Sequence, residues 1–147
     1  MKQLYFIDEY GNINSDWIFF CKKVADLIMN EELYCILNIY NDGYYGNLLT
    51  RGIEAKDKYI NLWTEITNEF KEYNNYLIFE SMDEVYFYNS WTYAFDYDAM
   101  INFNKSLVDS NRISGENNNE RLLIIEGEYD DLDMSYSSDK KSVDPSK

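Results

Sequence analysis

Tyr76-Leu77-Ile78-Phe79-Glu80-Ser81-Met82, running directly into Asp83-Glu84, decides the fold of this 147-residue chain. The run is strand-length, and its first residues are apolar on both alternations. A strand apolar on both faces is one that expects cover on both faces, the condition of a parallel sheet. Leu33-Tyr34-Cys35-Ile36-Leu37-Asn38-Ile39 has the same character and breaks at the turn residues Asn41-Asp42-Gly43. Arg121-Leu122-Leu123-Ile124-Ile125-Glu126 is a third such run, entered from the polar segment Ser114-Gly115-Glu116-Asn117-Asn118-Asn119.

Between these strands the apolar period lengthens to that of a helix. Ser15 is placed to cap a helix over about 16–30, with Trp17, Phe20, Cys21, Val24 and Ile28 as its inner stripe. A second helix is expected from about Glu54 to Tyr73, with Ile60, Trp63, Ile66, Thr67 and Phe70 inward, stopped by Asn74-Asn75. A third is expected from about Tyr97 to Arg112, with the stripe Tyr97, Met100, Ile101, Asn104 and Val108. Three helices alternating with three strands make βαβ units, so the fold class is α/β. Residues 1–130 read as the folded domain. Residues 131–147 read as an acidic, Ser-rich tail without a packed core. Asp130, Asp131 and Asp133 offer a calcium-loop reading, but the Gly and the closing Glu of that loop are missing at its spacing.

Composition narrows the function. Lys and Arg number 13 against 27 Asp and Glu, a formal charge of −14. That balance speaks against nucleic acid and anionic membranes as partners, since both select clustered cations. No apolar stretch nears the ~20 residues of a membrane span. The chain has no histidine, which removes His acid/base chemistry and His-ligated metals. No metal site and no cofactor are expected. The apolar run near the start is only Leu4-Tyr5-Phe6-Ile7 and ends in acids, short of the roughly 7–15 residues of a secretion signal. As written the chain reads as cytoplasmic, or as extracellular if it is a fragment of a longer protein. Cys21 and Cys35 are expected as free, buried thiols. Aromatics make up 18% of the chain, but 17 Asn accompany them. AT-rich coding accounts for that combination as readily as a sugar-stacking surface does.

In parallel α/β folds function collects at the C-terminal ends of the strands. Here those ends are Tyr40-Asn41-Asp42, Asp83-Glu84 and Glu126-Gly127-Glu128, so acids gather at one rim. By strand parity Glu80 and Glu84 share a face. Crowded, partly buried carboxylates raise one another's pKa, and a raised carboxyl pKa is what a general acid at neutral pH requires. The competing reading is a set of solvated strand ends on an acidic interaction protein.

The ordered motifs add a resemblance. Trp63-Thr64-Glu65-Ile66-Thr67-Asn68-Glu69-Phe70-Lys71-Glu72-Tyr73 followed by Leu77-Ile78-Phe79-Glu80-Ser81-Met82-Asp83-Glu84-Val85 resembles the cellulases of glycoside hydrolase family 5. Those carry a helix W-x-x-I-A-x-x-F-K-x-Y and then a strand end L-I-F-E-x-M-N-E. Leu37-Asn38-Ile39-Tyr40-Asn41-Asp42-Gly43 is similar to the family's N-I-H-H-D-G, and Val108–Asn118 to its V-D-x-V-R-x-S-G-G-N-N. The resemblance implies a partial (β/α)8 TIM barrel, strands three to five of a fold of roughly 250 residues. It implies hydrolysis of β-1,4-glucan with retention, with Glu84 as acid/base. The family's nucleophile, at the end of strand seven, matches nothing in these residues. Asp83, Tyr40, Asn41, Tyr44 and Trp91 are then candidate substrate contacts, with Tyr45 beside them. The departures are Tyr40-Asn41 where the family has His-His, and Asp83 where it has Asn. β-Glucan is the expected ligand, either cleaved or, in a non-catalytic relative, only bound. Three strands alone leave open sheet edges, which invite self-association.

Overall fold

A computed structural model describes residues 12–40, 53–83, 96–125 and 127. In order these form α1 (Ser15–Asn30), β1 (Cys35–Tyr40), α2 (Ile53–Phe70), β2 (Leu77–Asp83), α3 (Tyr97–Ser114), a 3-10 turn (Glu116–Asn119) and β3 (Leu123–Ile124). The sheet order is β1-β2-β3, and both pairings are parallel. This is the alternation expected from the sequence, with helices as the connections.

α1 begins where its cap can act. The cap is Asn14 rather than Ser15: the Asn14 side chain accepts the Asp16 N–H at 2.9 Å. α3 is capped by Asp96, whose Oδ1 accepts the Ala99 N–H at 2.9 Å. α2 stops at Phe70, three residues before the expected end.

The helices cover one face of the sheet. Leu77, Phe79 and Ser81 are buried beneath them, as are Cys35 and Ile39. Tyr59, Leu62, Trp63, Ile66 and Phe70 of α2 and Met100, Phe103 and Leu107 of α3 complete the core. Its rings meet edge-on or tilted: Tyr59 with Phe103 at 5.0 Å, Trp63 with Phe79 at 5.6 Å. Each such pair contributes about 0.5–1.5 kcal/mol beyond its buried area. The opposite face is the more exposed one, with Ile36 54%, Leu122 53% and Ile124 37% exposed. In a closed (β/α)8 barrel that face points inward and is filled by layers of side chains from alternate strands.

Two expectations change. On α1, Trp17, Cys21 and Ile28 of the expected stripe pack against the core, but the buried residues are Ile18 and Ala25, and Phe20 is 63% exposed. The helix is apolar around more than one stripe, so periodicity alone does not choose the face that packs. Second, β1 advances from Asn38 to Tyr40 while β2 advances from Glu80 to Asp83. The extra residue in β2 is a bulge, and strict alternation does not run through it. The parity count that joined Glu80 to Glu84 therefore does not carry to the strand end.

Candidate active-site rim

β1 and β2 end side by side, with Tyr40 and Asp83 as partners in the final register. One level below, Asn38, Glu80 and Ile124 lie across the three strands on the more exposed face. Glu80 is half-buried there. Glu84, Asn41, Tyr44, Tyr45 and Trp91 lie outside the described residues, as does the tail 131–147. Of the expected site, the structure thus brings together Tyr40 and Asp83 at adjoining strand ends.

Behind the end of β2 stands a buried polar arrangement. Tyr59 Oη donates to the Ser81 carbonyl at 3.0 Å, and Ser81 Oγ donates to Asn104 Oδ1 at 2.7 Å. Tyr59, Ser81 and Asn104 are all almost fully buried. Buried polar atoms persist when paired, so this set fixes the backbone two residues before Asp83. The sequence carried one signal for it: Asn104 is a polar residue standing in an apolar helical stripe.

The N-terminal end of the sheet is tied by Arg121, which strand patterning treats only as the start of a run. Its Nε donates to Asn118 Oδ1 at 2.6 Å, Nη1 to the carbonyls of Asn74 and Leu77 at 3.0 and 2.7 Å, and Nη2 to those of Phe70 and Tyr73 at 3.1 and 2.7 Å. Burial, and then the nearby charge of Arg112, push the guanidinium down to about 10, so it stays charged at neutral pH.

A groove of about 450 Å³ lies between α2 and α3, with no strand residue in its wall. Its one carboxylate, Asp109, is held by Lys105 at 2.8 Å. The groove therefore offers no pair of acids, and the strand-end rim is the better candidate for chemistry. Among the described residues no group of three His, Cys, Asp or Glu side chains could hold a metal ion. No described helix is long and apolar enough to cross a membrane.

Comparison with known proteins agrees with this architecture. The cellulase family (glycosyl hydrolase family 5) matches residues 2–147. Endoglucanase A of Paenibacillus barcinonensis is 32% identical over 135 residues, covering 86% of this chain and 34% of its own. A solved GH5-4 broad specificity endoglucanase from an uncultured bovine rumen ciliate superposes with a TM-score of 0.81 at 40% identity, over 92% of this chain and 38% of that one. ZgEngAGH5_4, solved in complex with a cellotriose, gives 0.70 at 27% identity, over 84% of this chain and 40% of that one. The chain thus spans about a third of the length of the curated relatives it matches, and its three parallel strands and helices form part of a (β/α)8 barrel. It belongs to the cellulases of glycosyl hydrolase family 5.

Proposed function

We propose that this chain contributes the acid/base side of a retaining glycoside hydrolase acting on β-1,4-glucan. Glu84 protonates the leaving glycosidic oxygen, and Asp83, Tyr40, Asn41, Tyr44 and Trp91 contact the sugar. The observation that supports the reading most is the pairing of Tyr40 with Asp83 at the C-terminal ends of β1 and β2. Glu84 is the next residue in sequence, and parallel α/β folds concentrate catalysis at such ends. The solved relative in complex with a cellotriose supports the substrate class.

Retention requires a second carboxyl group about 5–5.5 Å from the first. The resemblance places that nucleophile on a strand-seven end, beyond the third of the relatives that this chain matches. Endoglucan substrates are polymers too large to pass a membrane, so the reaction is placed outside the cell. The exposed apolar residues Ile36, Leu122 and Ile124, and the position of β1 and β3 at the edges of the sheet among the described residues, favour association with further strands, whether of another copy or of other polypeptide.

Release of reducing ends from carboxymethyl-cellulose and mixed-linkage glucan, measured beside Glu84→Gln, tests the catalytic reading. Release above that control supports it; release equal to the control removes it. Asp83 favours a second reading, a glucan binder without turnover. An ionised Asp cannot donate to a sugar hydroxyl as an Asn would, and it adds negative charge beside Glu84. Retardation in glucan-loaded gels without reducing-end release identifies that case.

A further inference from the structure

Cys21 stands on α1 and Cys35 opens β1, and both are free thiols. They line one crevice of about 150 Å³ between helix and strand, walled also by Val24, Ala25, Phe70 and Leu77. No lining residue is charged, and the two cysteines are the only ones with a reactive side-chain atom. Burial raises both thiols, Cys21 to about 11, and the charge of Cys35 adds to the rise at Cys21. Both side chains front the same uncharged crevice, which is what brings the two thiols together.

We propose that Cys21 and Cys35 are a latent disulfide pair, which closes across this crevice when the chain meets a small-molecule disulfide. Cys21, the less buried of the two, reacts first. It loses its proton, and the thiolate attacks one sulfur of the reagent, forming a mixed disulfide and expelling one reagent thiolate. Cys35 then loses its proton and attacks the Cys21 sulfur. The Cys21–Cys35 bond forms and the second reagent thiolate leaves. The protein is oxidised by two electrons, and the reagent is reduced to two thiols that take up the two protons. Closure needs the two Cα atoms within about 4.4–6.8 Å. The claim is independent of the glucan reading.

The test incubates the folded chain with excess oxidised glutathione between pH 7 and 10, alkylates the remaining thiols after unfolding, and maps the peptides by mass spectrometry. The expected product has lost two hydrogens and joins the Cys21 and Cys35 peptides within one chain. Its rate of formation should rise close to tenfold per pH unit, because the attacking thiol titrates well above that range. Cys21→Ser should show no internal link. It is the control of choice because Cys35 is buried and its replacement could unfold the chain. Both thiols remaining alkylatable after equilibration, or links found only between chains or to glutathione, would overturn the proposal.

Discussion

The guanidinium of Arg121 lies over the ring of Phe79, with Cζ 4.8 Å from the ring centroid, while all five of its N–H donors reach protein oxygens. Four of those oxygens are carbonyls between Phe70 and Leu77, where α2 ends and its last carbonyls lack partners within the helix. Asn117 takes two more, the carbonyls of Lys71 and Glu72. α2 has no basic residue in its last turn. Its capping cation comes instead from the entrance to β3, some fifty residues further along. The same side chain thereby ties α2, β2 and β3 together.

Replacing Arg121 with Met should therefore cost more than about 3 kcal/mol, since each hydrogen bond to a charged donor contributes about 1.5–3 kcal/mol and several acceptors would be left buried and unpaired. Arg121→Lys keeps the charge but has at most three donors, and should recover less than half of the loss. The shift of the urea midpoint at unchanged slope measures both. A loss below about 1 kcal/mol for Met would show that water replaces the clamp.

Gly115 ends α3 with φ +73° and ψ −157°, a region occupied almost only by glycine. A Cβ built there meets nothing within 4 Å, so any penalty is one of backbone conformation and not of crowding. Gly115→Ala should cost about 1–3 kcal/mol. Gly115→Asn should give no rescue, since the tolerance of Asn is for left-handed helical ψ values and not for this one. Equal stability of Ala and wild type in urea unfolding would mean that the turn into Glu116 rearranges freely.

These two residues mark what the sequence revealed and what it did not. The strands were legible because Leu77-Ile78-Phe79 and Ile36-Leu37 are apolar on both alternations, and that pattern has few other uses in an α/β chain. Of the expected 121–126 run, the structure forms β3 over Leu123–Ile124, with the Leu122 carbonyl still accepting from the Phe79 N–H, while the Arg121 side chain turns to the α2 terminus. On α1 the expected stripe holds at Trp17, Cys21 and Ile28, which pack against the core, and fails at Phe20 and Val24, which extend the apolar surface past the side that packs. Asn104 stood out as a polar residue in an apolar stripe, but its partner Ser81, and the carbonyls that Arg121 holds, lie twenty-three or more positions away and leave no mark in periodicity. At the site, the motif order located the strand ends, but the β2 bulge was not foreseen, as a one-residue insertion leaves no compositional mark.

Tyr73 supplies a pH signature. Burial, and then the hydrogen bond from its hydroxyl to the Asp26 carboxylate, raise the phenol to about 12 from an ordinary value of 10. Between those values the unfolded chain has released the proton and the folded chain still holds it. Stability is thus fully supported below pH 10 and falls as pH rises toward 12. Tyr73→Phe should make the decline of unfolding free energy between pH 9.5 and 11.5 shallower than in wild type. Both chains share the titration of the remaining tyrosines, so the difference in slope isolates this one. Identical slopes would place the Tyr73 hydroxyl in water.

Ser81 Oγ and Asn104 Oδ1, 2.7 Å apart, secure the backbone that leads into Asp83. Asn104→Ala leaves the buried Ser81 hydroxyl without this acceptor and should cost about 1–3 kcal/mol. Ser81→Ala removes the donor from the same bond. In a double-mutant cycle the pair should couple by about 0.5–3 kcal/mol, and strict additivity would show that the two side chains act separately.

Asp83 closes β2 opposite Tyr40, where the family pattern has Asn. If sugar sits against this rim, the ionised carboxylate there accepts hydrogen bonds but donates none, and its charge opposes a second acid next door. Asp83→Asn restores two N–H donors and removes one negative charge without changing side-chain size. Retardation in gels containing carboxymethyl-cellulose or mixed-linkage glucan should increase about tenfold in affinity terms, the effect of roughly 1.4 kcal/mol from one recovered hydrogen bond and relieved repulsion. Running neutral mixed-linkage glucan beside the charged polymer separates a true contact from loss of electrostatic repulsion by the gel. A gain on the anionic polymer alone would reduce Asp83 to a surface charge, whereas a gain on both would place residue 83 against the sugar.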